Sequence, residues 1–288
     1  MRSQHNLYTA TVILPTAGLL LLLAFDSRPV DGGPERPNNA ASGPTRTVES
    51  SPIGTVGNPS ETLLRIDALH RRRDDPAAFK EERQLVSAAI ARSPNDFEFL
   101  WRAARTYFWL SDDPSASNEQ RSQMGKTGWD LAERAITAAP KKPDGYYWAA
   151  VNMGSYALGL GVVKALTIGL EGKFTGRLKE AGQLSPIYEF GGVDIAWGRF
   201  YEKLPWPKRD RKKAEEHLRR VLTSQNPRSL RARVFLADTL LQDGRAEEAK
   251  VLLEQVEQAK TGAYDAPEER RAKALEVGLM ANVRKKLK

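Results

Sequence analysis

From Ser60 onward, apolar residues recur at the spacing of one face of a helix, and no stretch shows the alternation of a strand. Prolines punctuate the pattern. Pro94, Pro140, Pro186 and Pro227 each follow an apparent helix end, at intervals of 46, 46 and 41 residues. After each comes an apolar, aromatic segment: FEFLWRAARTYFWL, YYWAAVNMGSYALGL, DIAWGRFYEKL and LRARVFLADTLL. A more charged segment completes the unit, as in GWDLAERAITAA, KKAEEHLRRVL and AEEAKVLLEQV. Helix pairs repeating every roughly 20–50 residues mark an α-solenoid, because one pair alone cannot bury its apolar faces.

The last full unit, ARVFLADTLLQDGRAEEAKVLL from Ala232 to Leu253, looks like a tetratricopeptide repeat (TPR). Small Ala237 lets the paired helices approach, Gly244 ends the first helix, and Ala249 packs where the second crosses it. The earlier units are longer than the TPR consensus of about 34 residues. The excess is expected in a loop over Ser111–Gln120 and in a long second helix of the third unit near Gly161–Ala181. Residues Ala266–Lys288 predict a C-terminal capping helix with a basic outer face. The expected fold class is therefore all-α: a TPR-like α-solenoid of about five helix pairs plus the cap, spanning residues 60–288.

Two segments precede it. Thr9 to Phe25, TATVILPTAGLLLLLAF, is an uncharged apolar run after Arg2, the layout of a signal peptide or N-terminal membrane anchor within residues 1–25. With Arg2 held inside, everything after Phe25 is exported. Leu22-Leu23-Ala24 matches a small-x-small cleavage site poorly. Residues 26–59, rich in Pro, Gly, Ser and Asn, bury too little apolar surface to offset their ordering entropy and read as a disordered linker.

Composition narrows the chemistry. The chain has 288 residues and no cysteine, which excludes disulfides, thiolate metal sites, cysteine nucleophiles and a lipidated cysteine. His5, His70 and His217 share no ligand spacing, so no metal is expected. The net charge of +8 gathers at Arg71–Arg73, Lys208–Lys213 and Arg284–Lys288. Without a nucleic-acid module, these clusters read as solvated helix ends. Gly125-Lys126-Thr127 resembles the end of a phosphate-binding loop but lacks the earlier glycine and the strand, and GLGVVK at Gly159–Lys164 fails as a dinucleotide loop for similar reasons. Glu215-Glu216 and Glu247-Glu248 lie on charged helix faces, and no Ser-His-Asp order can be drawn. The chain reads as a non-enzyme without a cofactor.

The central segment is distinctive. YYWAAVNMGSYALGLGVVKALTIGL is almost uncharged, and Gly154, Gly159, Gly161 and Gly169 each cost about 1 kcal/mol in a helix interior relative to alanine. Close helix packing or room for a ligand must compensate. An all-round apolar helix belongs at the centre of the fold. Tyr146, Tyr147 and Trp148 stand about 100° apart on it and so face different neighbours; Tyr147 is expected to face a cleft, with Asn152 nearby.

Two blocks here resemble the T component of tripartite ATP-independent periplasmic (TRAP) transporters, the TatT-like proteins. One is Tyr147, Trp148, Ala149, Asn152 and Gly154. The other runs from Pro186, Tyr188, Gly191 and Gly192 through Trp197, Gly198, Arg199, Tyr201, Leu204 and Pro205. The resemblance spans roughly Glu98 to Lys260. It implies a periplasmic, non-enzymatic helical protein that associates with the solute-binding P component, serves uptake of an organic or hydrophobic ligand, and assembles as a trimer. Such proteins are usually lipoproteins; lacking cysteine, this chain would be held by its apolar segment or released into the periplasm. The implied cleft residues are Tyr147, Trp148, Asn152, Tyr188, Gly191, Gly192, Arg199 and Tyr201. Arg199 could clamp a ligand carboxylate, pair with Asp194 or Glu202, or cap backbone carbonyls. Gly191-Gly192 serves either a turn needing positive φ or a site, and Trp148 and Trp197 suit core anchors. The alternatives are a generic TPR scaffold whose concave groove receives a peptide or partner helix, and an envelope-assembly factor.

Overall fold

The computed structural model describes residues 58–288. The expected signal peptide or anchor, and the linker up to Gly57, lie outside the described residues. Twelve helices follow in order: α1 (Pro59–His70), α2 (Pro76–Arg92), α3 (Phe97–Ser111), α4 (Asn118–Ala138), α5 (Pro143–Leu160), α6 (Val162–Thr167), α7 (Leu170–Leu184), α8 (Tyr188–Lys203), α9 (Arg211–Arg220, extended by a π turn over Val221–Gln225), α10 (Leu230–Gln242), α11 (Ala246–Gln258) and α12 (Ala266–Lys286). No strand occurs among the described residues. The pairs α1/α2, α3/α4, α5/α7, α8/α9 and α10/α11 form the five expected units, and α12 is the cap.

Local chemistry sets most boundaries. Asn58, Asp75, Asp96, Ser117, Asp210, Ser229 and Asp265 accept hydrogen bonds from first-turn backbone N–H groups of the helices they precede. The four spacing prolines fall in the short connections after α2, α4, α7 and the π turn, where no helical N–H is needed. Two expected insertions are adjusted. The loop after α3 ends at Ser117, because Gln120 reciprocates the Ser117 cap and starts α4 earlier. The long second helix of the third unit is broken into α6 and α7, with Gly161 (φ 87) and Gly169 (φ 75) in backbone conformations that side chains resist.

The α4–α5 contact is unusually close. A Cβ on Gly125 would lie 2.6 Å from the Tyr156 backbone nitrogen, and one on Gly159 would lie 2.5 Å from that of Ser122. Gly128 admits the Asn152 amide and Gly145 admits Ile136. These glycines therefore trade helix propensity for backbone proximity. Val193 belongs to a core built from α1 to α8, and Ile195 to a second core built from α8 to α12, so α8 joins the two halves.

The array does not end as an open superhelix. The start of α12 returns to the first unit, where buried Arg73 pairs with Asp265 at 2.6 Å and Arg270 pairs with Asp74. The Trp109 ring is approached by Arg73 at 4.4 Å and Arg271 at 3.2 Å, and Asp112 receives both Arg231 and Arg271. The sequence reading of Arg71–Arg73 as a solvated helix end holds for exposed Arg71 and Arg72 but not for Arg73, which is buried at this seam.

Beneath the first units, Glu82 is fully buried, accepting from Thr106 at 2.7 Å and lying 2.8 Å from His70 Nδ1. Burial pushes its carboxyl up to about 7, with Arg105 and Arg73 opposing, and burial holds the His70 imidazole well below its ordinary range. The raised pKa means that folded Glu82 keeps a proton which the unfolded chain has released. Between about pH 4.5 and 7 its contribution to stability therefore falls as pH rises, by roughly 1.4 kcal/mol per pH unit at most. His70 contributes the opposite slope below its ordinary pKa, in wild type and variant alike. Urea titrations are expected to show Glu82→Gln improving relative to the wild type between pH 5 and pH 7. A second pair of variants tests the helix contact: Gly125→Ala should lose about 1–3 kcal/mol by overpacking. Gly176→Ala, in open space on α7, should gain up to about 1 kcal/mol by propensity.

Candidate functional site

The ring encloses a cleft of about 340 Å³. One stretch is apolar: Val151 and Leu158 from α5, Val162 and Leu166 from α6, Phe174 from α7, and Phe200 and Leu204 at the end of α8. The other end is polar, with Asp112, Glu189, Arg231, Glu268 and Arg271. Arg231 bridges Asp112 at 3.2 Å and Glu268 at 3.5 Å while lying over Phe108 and Phe235. Burial raises the Glu268 carboxyl, against the pull of Arg231.

Three of the eight expected residues line this cleft: Tyr147, Gly192 and Arg199. Tyr147 lines it, packed edge-on to Trp148 and tilted on Tyr188. Its hydroxyl has no hydrogen-bond partner among the described residues, and burial raises its pKa, keeping it neutral. Gly192 makes room for that hydroxyl, which would lie 2.5 Å from a Cβ at 192. Arg199 is held by Glu202 at 3.2 Å and Asp238 at 2.9 Å, so the pairing alternative applies, with Asp238 added by α10.

The other five lie outside the cleft lining. Asn152 is fully buried, and its amide donates to Ala104 and Trp148 carbonyls; it ties α5 to α3 beneath the Gly128 gap. Trp148 is a core anchor against Phe108. Tyr188 donates to Asp144 at 2.7 Å and pins the start of α8 to α5. Gly191 (φ 90) turns the chain against Gln225 and Val221. Tyr201 stacks on Trp197 and His217 behind the wall. Asp194, expected as an Arg199 partner, instead holds His217, Arg220 and Gln225.

The residue that sequence reasoning passed over is Glu189. Glu189 (φ 50, ψ 50), Phe190 (φ 56, ψ 37) and Gly191 form one left-handed turn at the start of α8. Two non-glycine residues in this region cost about 1–2 kcal/mol each. The turn sends Glu189 to the cleft and Phe190 outward, its ring 5.5 Å from Tyr264. Glu189 is half-buried and has no hydrogen bond or ion pair among the described residues. Burial pushes its carboxyl up to about 7; Arg105 and Arg73 oppose this, and Glu268 and Asp265 add to it. The available signal was an acidic residue inside the apolar run IYEFGG.

Among the described residues, no group of three or more metal-ligating side chains converges, and no helix is long and apolar enough to cross a membrane. The Gly125-Lys126-Thr127 triplet lies in the interior of α4 and forms no phosphate loop.

Comparison with known proteins agrees with this fold. The regulator of microtubule dynamics protein 1-3 family matches residues 62–187, and a tetratricopeptide repeat family matches residues 208–274. No curated protein matches the sequence. Among solved structures, a thermophilic TPR protein from Thermus thermophilus is 18% identical, covering 76% of this chain and 99% of its own, with a TM-score of 0.57. MamA protein, 14% identical over 75% of this chain and 95% of its own, has a TM-score of 0.38. The tetratricopeptide repeat match and the Thermus thermophilus structure, with the helices described above, make the class an all-α, TPR-like repeat protein of divergent sequence.

If the left-handed turn is kept for the site rather than for stability, relieving it should stabilise the fold. Glu189→Asn tolerates the same backbone and removes the unpaired carboxyl. It is expected to raise unfolding free energy by about 1 kcal/mol at pH 8, measured by urea denaturation.

Proposed function

We propose that the chain is a non-enzymatic scaffold of the TPR type that receives a segment of a partner polypeptide in its inner cleft. The carrying observation is the cleft's composition. Its apolar trough, formed by α5, α6, α7 and α8, leads to fixed charges on α8, α10 and α12, the pattern that binds an extended or helical segment by burial and orients it by charge. The repeat fold supports this reading, since stacked helix pairs present such concave surfaces.

A narrower reading places that partner in the cell envelope, as the solute-binding component of a TRAP-type transport system, with the chain exported through residues 1–25. It is supported by the two TatT-like blocks around Tyr147–Gly154 and Pro186–Pro205, and by the basic-then-apolar N-terminus.

A photo-cross-linking residue at Leu158, exposed in the cleft, is expected to capture a partner identifiable by mass spectrometry. Leu166→Asp, which charges the trough, should abolish the adduct, and the same residue at exposed Val251 on α11 should not form it. Adducts from 158 that match those from 251, or that persist in Leu166→Asp, would sink the scaffold reading. Adducts lacking any solute-binding protein would remove the narrower one.

A further inference from the structure

We infer that Glu189 and Tyr147 form a cation subsite at the polar end of the cleft, taking a lysine or arginine side chain of the docked polypeptide. This rests on the scaffold reading and names the chemistry that the cleft selects.

The argument begins with the charges inside the ring. Arg73 is matched by Asp265, Arg105 by Asp67, Arg231 by Asp112 and Glu268, and Arg271 by Asp112. Each of these four arginines has a carboxylate, Arg121 on the cleft wall donates to the Asp113 carbonyl instead, and Glu189 is the acid with no hydrogen bond or ion pair among the described residues. A half-buried carboxylate without a partner is costly, and a cation is what would relieve it.

Geometry points the same way. Tyr147, only 7% exposed, aims an unpartnered hydroxyl into the same cleft. The missing side chain at Gly192 leaves that hydroxyl its space. Together they offer a charged acceptor and a neutral hydroxyl that can also accept, the complement of an ammonium or guanidinium group. The left-handed turn is what brings Glu189 to the cleft, so its strain falls on the residue that would bind. The neighbouring apolar trough fits the aliphatic stem of a basic side chain and the apolar residues beside it.

A phage-displayed library of random 16-residue peptides, selected on the full chain at pH 8, tests the subsite. Peptides whose binding is lost in Leu166→Asp are retained as cleft-bound. They are expected to carry lysine or arginine among apolar residues, and synthetic versions distinguish the two cations. Glu189→Gln should weaken them about 10-fold or more, and Tyr147→Phe should weaken them less. A peptide with its basic residue replaced by glutamine should bind wild type and Glu189→Gln alike. Cleft-bound peptides without a basic residue, or an equal loss for both peptides in Glu189→Gln, would overturn the subsite and leave the scaffold intact. Absence of any cleft-bound peptide would overturn both.

Discussion

The structure depends on a seam. TPR-like helix pairs curve because each pair is rotated slightly on the last, and nothing in that curvature alone requires an array to meet its own beginning. Here Arg73, 192 residues from Asp265 in sequence, reaches it from the turn after α1 and is buried by doing so. Trp109 and Asp112 at the end of α3 hold Arg271, and Asp112 holds Arg231 as well. A buried ion pair contributes little net stability, but removing one partner leaves an uncompensated charge that costs about 3–5 kcal/mol. The seam therefore acts more as a specification than as a source of stability. In the closed arrangement these charges are paired across the seam.

Closure converts a concave surface into a bounded cleft, and two further features decide what that cleft looks like. The glycines between α4 and α5 draw the central helix inward, and Asn152 fixes it to α3 through two carbonyls. Breaking the third unit's second helix at Gly161 and Gly169 lays α6 across one side, where Val162, Ala165 and Leu166 extend the apolar wall. The left-handed turn at the start of α8 adds an unpaired acid to a wall where Arg231 and Arg271 are held by Asp112 and Glu268. Packing and electrostatics thus act on opposite ends of one space, and α8 contributes to both.

Much of the fold was legible in the sequence because helix boundaries are set by short-range chemistry. Prolines cannot donate, Asp and Ser cap the adjoining N–H groups, and apolar residues recur every three to four positions. The same rules identified Gly244 as a terminator, and it has φ 82. The 100° step alone divided the aromatic triplet among different neighbours. Which tyrosine meets the cleft depends on how α5 packs against α8, where Gly192 leaves space for the Tyr147 hydroxyl. Which polar residues would reach that cleft was not legible. Asn152, one turn beyond Trp148 on the central helix, was a reasonable cleft residue until the approach of α4 at Gly128 enclosed it.

By itself the sequence determined a helical repeat array, its unit boundaries and the apolar character of its central helix, since each follows from contacts within a few residues. Tertiary structure alone decided that the array closes, that Arg73 is buried while Arg72 beside it stays exposed, and that Glu189 rather than Asn152 meets the cleft. Those outcomes depend on distances between helices far apart in the chain, and on a backbone turn of the wrong hand that side-chain periodicity does not encode.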